Sequence, residues 1–367
     1  MCSSDLVDPT GMLEHSLSNL WSLTELNLSY CNLQTIPDSL GCLSSLEYLY
    51  LEGNNFVCLP ESITQLSNLG RLFMCGCTHL RSLTELPPNI LYINANGCAS
   101  LEIFPLRAED GPYPDLNLIG CDKLINNEDY DDMLLAQLRH QIIKVSLSLS
   151  LSLSLSLSLA CEVLNIMILQ FCMFQEYPFY DTTIPGREIP KWFGHQSEGT
   201  SVNLQVPSDK LKGIAVCAVF VLRHHYPLHQ LHSTTGQRDF IYTHELSWYL
   251  KTNGGQSHNI FNSYYFSEQF GKIESYYLWL DYDCYKFLWL KRKATWIQDA
   301  NGFVQIEIGF ETEGPGLEVT KCGAHLILEQ DIEDLNQTMR GCSSSSSCSI
   351  TPYEDDLEDS AKDTKTK

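Results

Sequence analysis

The chain has 367 residues, 44% of them hydrophobic, enough for two or three domains with a core each. Its formal net charge is −22, which excludes a nucleic-acid backbone as main partner, because phosphate binding needs clustered Lys and Arg. Fifteen cysteines suggest a disulfide framework, but Met1-Cys2-Ser3-Ser4-Asp5 has neither the basic n-region nor the apolar h-region of a secretory signal. A reducing, cytoplasmic setting with free thiols is therefore expected.

Internal repetition opens the chain. Leu23, Leu46 and Leu69 recur every 23 residues, as do Leu26, Leu49 and Leu72, and then Leu28, Leu51 and Met74. Each set reads L-x-x-L-x-L, a short strand with alternate residues turned into a core. Ile90, Ile93 and Ala95 form a fourth copy, and Leu116, Leu118 and Cys121 a degraded fifth. Three residues beyond each third apolar position stand Cys31, Asn54, Cys77, Cys98 and Cys121. This is the Asn/Cys slot of a leucine-rich repeat, where a small side chain bonds backbone left free by the coil. Four cysteines are thereby structural, and Cys31, Cys77 and Cys98 are expected to be buried and reduced. A zinc site at Cys75 and Cys77 is the sharper alternative, weakened by the lack of a second pair.

Behind the strands come Ile36-Pro37, Leu59-Pro60 and Leu86-Pro87, which make the back of each coil. Met1 to Asn19 offers no polar cap, so the array is expected to have begun earlier in a longer ancestral chain. The exposed strand positions include Tyr48, Tyr50, Arg71, Phe73 and Tyr92. Aromatics and Arg are common interface anchors, so these five are the candidate partner-binding residues. Solvated strand positions without a partner are the plainer reading.

Residues 1–125 are thus assigned to leucine-rich repeats. Residues 126–176 hold an amphipathic segment, Glu128 to Lys144, expected to close the array as a helix, and then Ser-Leu repeated seven times from Ser146 to Leu159. That alternation reads as translated simple sequence. With apolar Val163 to Phe174 it is long enough to span a membrane, but half of its first part is Ser and no positive bias flanks it, so a membrane is not the expected partner.

From Tyr177 the period changes to two. Val202, Leu204 and Val206 alternate with polar residues, as do Val304, Ile306, Ile308 and Phe310, and Gly213 to Leu222 is a continuous apolar run suited to a central strand. Phe240 to Leu250, Tyr276 to Leu280 and Glu318 to Leu328 are further strands, making residues 177–335 a β-sandwich. Asp281 and Asp283 are expected to be solvated. Residues 336–367 are a Ser-rich, then acidic, disordered tail. Lys291-Arg292-Lys293 is the one compact basic run, a solvated loop or a nuclear-import patch, which leaves a nuclear location open.

Ile184-Pro185-Gly186-Arg187-Glu188-Ile189-Pro190-Lys191-Trp192-Phe193, with His195-Gln196-Ser197 and Gly199, resembles the opening motif of the C-terminal jelly-roll/Ig-like domain of plant TIR-type NLR disease-resistance proteins. Lys321-Cys322-Gly323-Ala324-His325-Leu326 resembles its last strand, and Leu116 to Leu124 the joint with the repeats. In this motif Gly186 is expected to permit a tight turn and Trp192-Phe193 to plug the core between sheets. The resemblance implies an α+β repeat solenoid followed by an all-β jelly-roll/Ig-like sandwich. It also implies recognition of a pathogen effector protein, with other receptor domains or chains as further partners.

No G-x-x-x-x-G-K-[ST] loop occurs and there is no length for a TIR domain, so no nucleotide cofactor and no NAD cleavage is expected. His224, His225, His229 and His232 read as a polar loop rather than a metal site, and His244-Glu245 lacks the second His of a zincin motif. The chain is therefore expected to be no enzyme and to hold no metal. A carbohydrate-binding jelly-roll and a nonfunctional receptor remnant remain the alternatives.

Overall fold

In the computed structural model, the described residues are 14, 16–17, 19–83, 85–105, 114–126, 182–207, 211–224, 243–252, 259–266, 273, 275–283, 299–328, 330–331 and 333. The expected closing helix, the Ser-Leu insert, Lys291-Arg292-Lys293 and the acidic tail lie outside them.

Five three-residue strands stack in parallel: β1 (Glu25–Asn27), β2 (Tyr48–Tyr50), β3 (Arg71–Phe73), β4 (Tyr92–Asn94) and β5 (Asp115–Asn117). The middle residues Leu26, Leu49, Leu72, Ile93 and Leu116 pair in one column and turn to the core. The degraded fifth copy is therefore a true rung. Behind the strands lie single 3-10 turns, Asp38–Cys42 and Glu61–Gln65, each entered from a proline, Pro37 or Pro60. Proline fixes the entry φ, and about twenty residues per repeat leave no length for a full α-helix. Ahead of β1, Glu14, Ser16 and Leu17 are α-helical.

Each coil reverses at a left-handed residue, and the first has a second one in Asn32 at φ 56°. Gly53, Gly76, Gly97 and Gly120 hold it with φ between 62° and 77°, and in the first rung Tyr30 holds it at φ 59°. The next residue fills the predicted Asn/Cys slot. Cys77, Cys98 and Cys121 are fully buried and donate to the carbonyls of Leu51, Met74 and Ala95 at 3.2, 3.1 and 3.2 Å. Asn54 does the same with its amide, donating to Leu28 and Leu51 at 2.9 Å each, and accepts from Leu33 N–H at 3.0 Å. Cys31 breaks the expectation. It is exposed, and its thiol reaches only the carbonyl of Ser29, two residues back. The other slot residues bond a carbonyl of the rung before them, and no described strand precedes β1.

The parallel ladder does not end at the repeats. β5 pairs in parallel with β6 (Thr182–Pro185) through Asn117 and Thr183. The sheet then runs antiparallel through further strands. β7 (His195–Glu198) lies at its far border, β9 (Leu211–Leu222) and β12 (Tyr277–Asp283) in its middle, and β14 (Leu317–Leu328) between β9 and β7. The order is β1-β2-β3-β4-β5-β6-β12-β9-β14-β7, ten strands in one sheet. A second sheet of β8 (Ser201–Pro207), β10 (His244–Thr252), β11 (Asn259–Phe266) and β13 (Phe303–Glu313), ordered β11-β10-β13-β8, packs on the second half. All six strand expectations of this region have a counterpart. β6, β7 and β11 were not anticipated.

Between the two sheets lie Trp248, Phe261, Tyr264, Phe220, Tyr277, Trp279 and Phe310, with Trp248 stacked on Phe261 at 4.5 Å. Phe193 is not in this core. With Ile189 it packs on the opposite face of the long sheet, in the layer that continues from the repeat core through Ala215, Cys217 and Leu278. Trp192 lies between Phe193 and His325, 4.2 and 4.7 Å from their ring centres. Gly323 explains the placement: a Cβ there would stand 2.8 Å from Ile189 and 3.3 Å from Phe193. Gly186 likewise serves close approach, since a Cβ would fall 1.7 Å from Leu278, and no positive φ is needed. Asp281, expected in solvent, is buried between the sheets, where the Trp248 indole and the Tyr282 N–H donate to it. Its strand is covered on both faces, so alternation does not expose it.

Candidate interaction face and the joint beside it

The residues flanking the middle, core residue of each strand from β1 to β5 form two columns on the face turned away from the repeat core. One runs Glu25, Tyr48, Arg71, Tyr92, Asp115; the other runs Asn27, Tyr50, Phe73, Asn94, Asn117. All five candidate residues therefore come together on three adjacent rungs, and each is half-buried. Tyr50 and Phe73 stack at 4.7 Å with planes 6° apart, Tyr92 tilts against Phe73 at 5.6 Å, and the Arg71 guanidinium lies 5.4 Å from the centre of the Tyr48 ring. Aromatic pairs of this kind contribute about 0.5–1.5 kcal/mol beyond area burial. They hold the rings ordered before any partner arrives, which lowers the entropy lost on binding.

The electrostatics are mixed. Burial, then the Glu25 carboxylate, raises the Tyr50 phenol above the ordinary tyrosine range, so it stays a neutral hydrogen-bond donor at physiological pH. Glu52 and Tyr30 border the face. Ser29 donates to Glu52, and burial and Glu52 together raise the Tyr30 phenol.

At β5 the face changes character. Asp115 and Asn117 occupy the same columns but are buried, 4% and 8% exposed. The reason is the continuous sheet. Asn117 pairs with Thr183, and Thr183 with Trp279, so the open face of the repeats runs on into the inner face of the sandwich. Ile119, just past β5, is part of the inter-sheet core. Leu118 N–H donates to Thr183 O at 2.8 Å. The Tyr277 phenol, fully buried, accepts from Gly120 N–H at 2.9 Å and donates to the Asp122 carboxylate. Burial, then Asp122, pushes this phenol far above the ordinary tyrosine range. The joint was partly foreseen in Leu116 to Leu124. Its key, Tyr277, stands 155 residues from Asp122 and no local pattern marks the pair.

Other chemistry is sparse. His244 is buried, stacked on Phe266 at 5.1 Å, with its ring nitrogens at Thr243 Oγ1 (2.8 Å) and Pro315 O (3.3 Å). Of the four clustered histidines only His224 is described, and it is exposed. Among the described residues, no group of three His, Cys, Asp or Glu side chains is placed to hold a metal, and no helix is long and apolar enough to cross a membrane.

Comparison with known proteins follows the same division. Residues 184–333 match the C-JID domain, and residues 10–56 match a leucine-rich repeat family. The chain is similar to Disease resistance protein RPP2B of Arabidopsis thaliana, 30% identical over 234 residues, covering 61% of this chain and 18% of that protein. It is similar also to Disease resistance-like protein DSC1, 35% identical over 191 residues, 50% and 14%, and to Disease resistance protein RPS4B, 28% identical over 158 residues, 41% and 12%, both of the same plant. The chain thus spans under a fifth of each of these relatives.

Proposed function

We propose that this chain, whose leucine-rich repeats and C-JID domain place it with plant TIR-NB-LRR disease resistance proteins, recognises a pathogen effector by direct protein contact. The observation that carries the reading is the ordered aromatic face of Tyr48, Tyr50, Arg71, Phe73 and Tyr92. Rings offer large apolar area at little entropic cost, and Arg71 adds a planar donor for a carboxylate. On this reading the repeats are a solenoid with that face concave, and the two-sheet region is a jelly-roll standing at its end. Three rungs alone are small against a standard interface of about 800 Å² per partner. The effector therefore touches the aromatic face and the adjoining sandwich together. Action is by contact, without turnover, in the cytoplasm or nucleus.

The test is capture of candidate effectors by the parent chain and by Tyr50→Ala and Phe73→Ala variants checked for folding by circular dichroism. Loss of a central anchor costs about 2 kcal/mol, or roughly thirtyfold in affinity. Both variants binding as tightly as the parent would remove the repeat face from the interface.

A further inference from the structure

A second site lies at one end of the long sheet, in the loop that opens the C-JID region. Most of the segment from Ile184 to Phe193 is spent on packing. Ile184, Ile189 and Phe193 enter the core, Trp192 packs beside them, and Gly186 makes room for Leu278. Arg187 has no such role and is exposed. Gly186 N–H donates to Tyr276 O at 2.9 Å, which sets the next residue beside the Tyr276 ring, and the Arg187 guanidinium lies 5.3 Å from the ring centre. Arg223, exposed at the end of β9, brings a second guanidinium to 5.9 Å from the same centre and donates to the phenol at 3.5 Å. The sheet register enforces this meeting. Pro185 and Phe220 both pair with Tyr277, and Leu222 pairs with Leu317, so β6, β12, β9 and β14 present these residues at one border.

Charge is out of balance there. The chain carries 45 acidic and 23 basic residues, so acids are the commoner neighbours for any cation. Two arginines nonetheless share one ring, and the carboxylate beside them is Glu318, 3.0 Å from Arg223 Nε. Glu188, next to Arg187 in sequence, pairs instead with Lys321 at 2.6 Å. Among the described residues Arg187 has no carboxylate partner. Like charges set close together repel, and an anion arriving between them relieves that cost. A guanidinium over an aromatic ring keeps its N–H donors at its edge, in a fork that matches a carboxylate. One positive charge is in excess, which a single carboxylate cancels; a phosphate dianion beside Glu318 would overshoot it.

We infer that Arg187, Tyr276 and Arg223 form a binding site for an aspartate or glutamate side chain of a partner polypeptide. Arg187 takes the carboxylate in a two-point contact. The Tyr276 hydroxyl and the terminal nitrogens of Arg223 stand beside it, and Glu318 holds Arg223 through Nε. The aromatic repeat face takes no part in this site, so neither reading depends on the other.

The probes are three rhodamine-labelled peptides of matched length, alternating Gly-Glu, Gly-Gln and Gly-phosphoserine. Each is titrated against the full chain by fluorescence anisotropy at about 0.15 M salt, where charges more than about 8 Å apart are largely screened. Gly-Glu is expected to bind about tenfold tighter than Gly-Gln. Arg187→Gln should weaken it about tenfold, and Arg187→Lys, which keeps the charge but loses the planar fork, severalfold. Glu318→Gln releases Arg223 from a competing carboxylate and should tighten binding severalfold, an effect that a merely structural ion pair would not give. Lys251→Gln removes an equal charge on the other sheet and should change nothing. Every variant is first checked for an unchanged circular dichroism spectrum. Equal binding of Gly-Glu and Gly-Gln, no binding at all, indifference to Arg187→Gln, or weaker binding by Glu318→Gln overturns the proposal. So does tighter binding of the phosphoserine peptide, because the site would then be built for phosphate.

Discussion

The repeats and the sandwich share one sheet yet are built on opposite logic. From β1 to β5 each strand pairs with the next in sequence, in the same register, at nearly constant spacing. In the second half β6 meets β12, and β14 lies between β9 and β7, so these pairings join distant parts of the chain. The first region is near one-dimensional, its stability a sum of neighbouring rungs; in the second most strands depend on partners far along the chain, with the neighbouring β10 and β11 the exception. A defect in the repeats should stay local, whereas one in the sandwich should be felt throughout.

The largest effect is expected from Trp279→Ala. Trp279 is fully buried between the sheets, near Tyr264 and Phe310. Truncation should cost about 3–5 kcal/mol and remove the sandwich transition in urea unfolding followed by tryptophan fluorescence. Retention of that transition would show that the two regions are not built so differently.

Next comes Tyr277→Phe at the joint. It leaves the Asp122 carboxylate and the Gly120 N–H without the phenol and should cost about 1–3 kcal/mol. Its pKa is raised in the folded state, so the phenol's contribution is whole below the ordinary tyrosine value of about 10 and falls as pH rises beyond it. The parent should lose stability above about pH 10, and Tyr277→Phe should lose less. Parallel pH profiles for the two would mean that the joint does not titrate.

Gly120→Ala sharpens the comparison within the repeats. It forces a side chain into φ 77°, with its Cβ 3.0 Å from the Gly97 backbone, and should cost about 1–2 kcal/mol. Tyr30 already tolerates the same conformation in the first rung, so Tyr30→Gly should shift the urea midpoint far less.

The smallest perturbation is chemical labelling. Cys98 and Cys121 are buried; the bond with Cys77 and then burial raise the Cys98 thiol well above the ordinary range, burial raises that of Cys121, and Cys77 is buried with a lowered pKa set first by its bond to Cys98. Iodoacetamide followed by peptide mass analysis should modify Cys31 in native protein and the three ladder cysteines only after denaturant. Rapid native labelling of Cys77 would show that its rung opens.

Legibility in the sequence follows the same contrast. Repeats announce themselves because each rung restates the last, and the five face residues fall into two adjacent columns by arithmetic alone. Strands such as β8 and β13 alternate cleanly because one face is wet. β6 and β7, of four residues each, are too short to show a period, and the bulge and the aromatic run of β11 hide its alternation. The buried Asp281 could not be read, because the indole that donates to its carboxylate belongs to the distant Trp248. Trp192 and Phe193 were rightly taken as packing, but which side of a sheet a loop covers depends on a glycine more than a hundred residues later, Gly323.

The ten hydrogen-bonded strands, spaced about 4.8 Å apart, make a plank roughly 40 Å wide with no seam between its halves. On the proposed reading, a partner held at the aromatic rungs would be joined to β7 at the far border by hydrogen-bonded strands alone, each neighbour passing directly to the next.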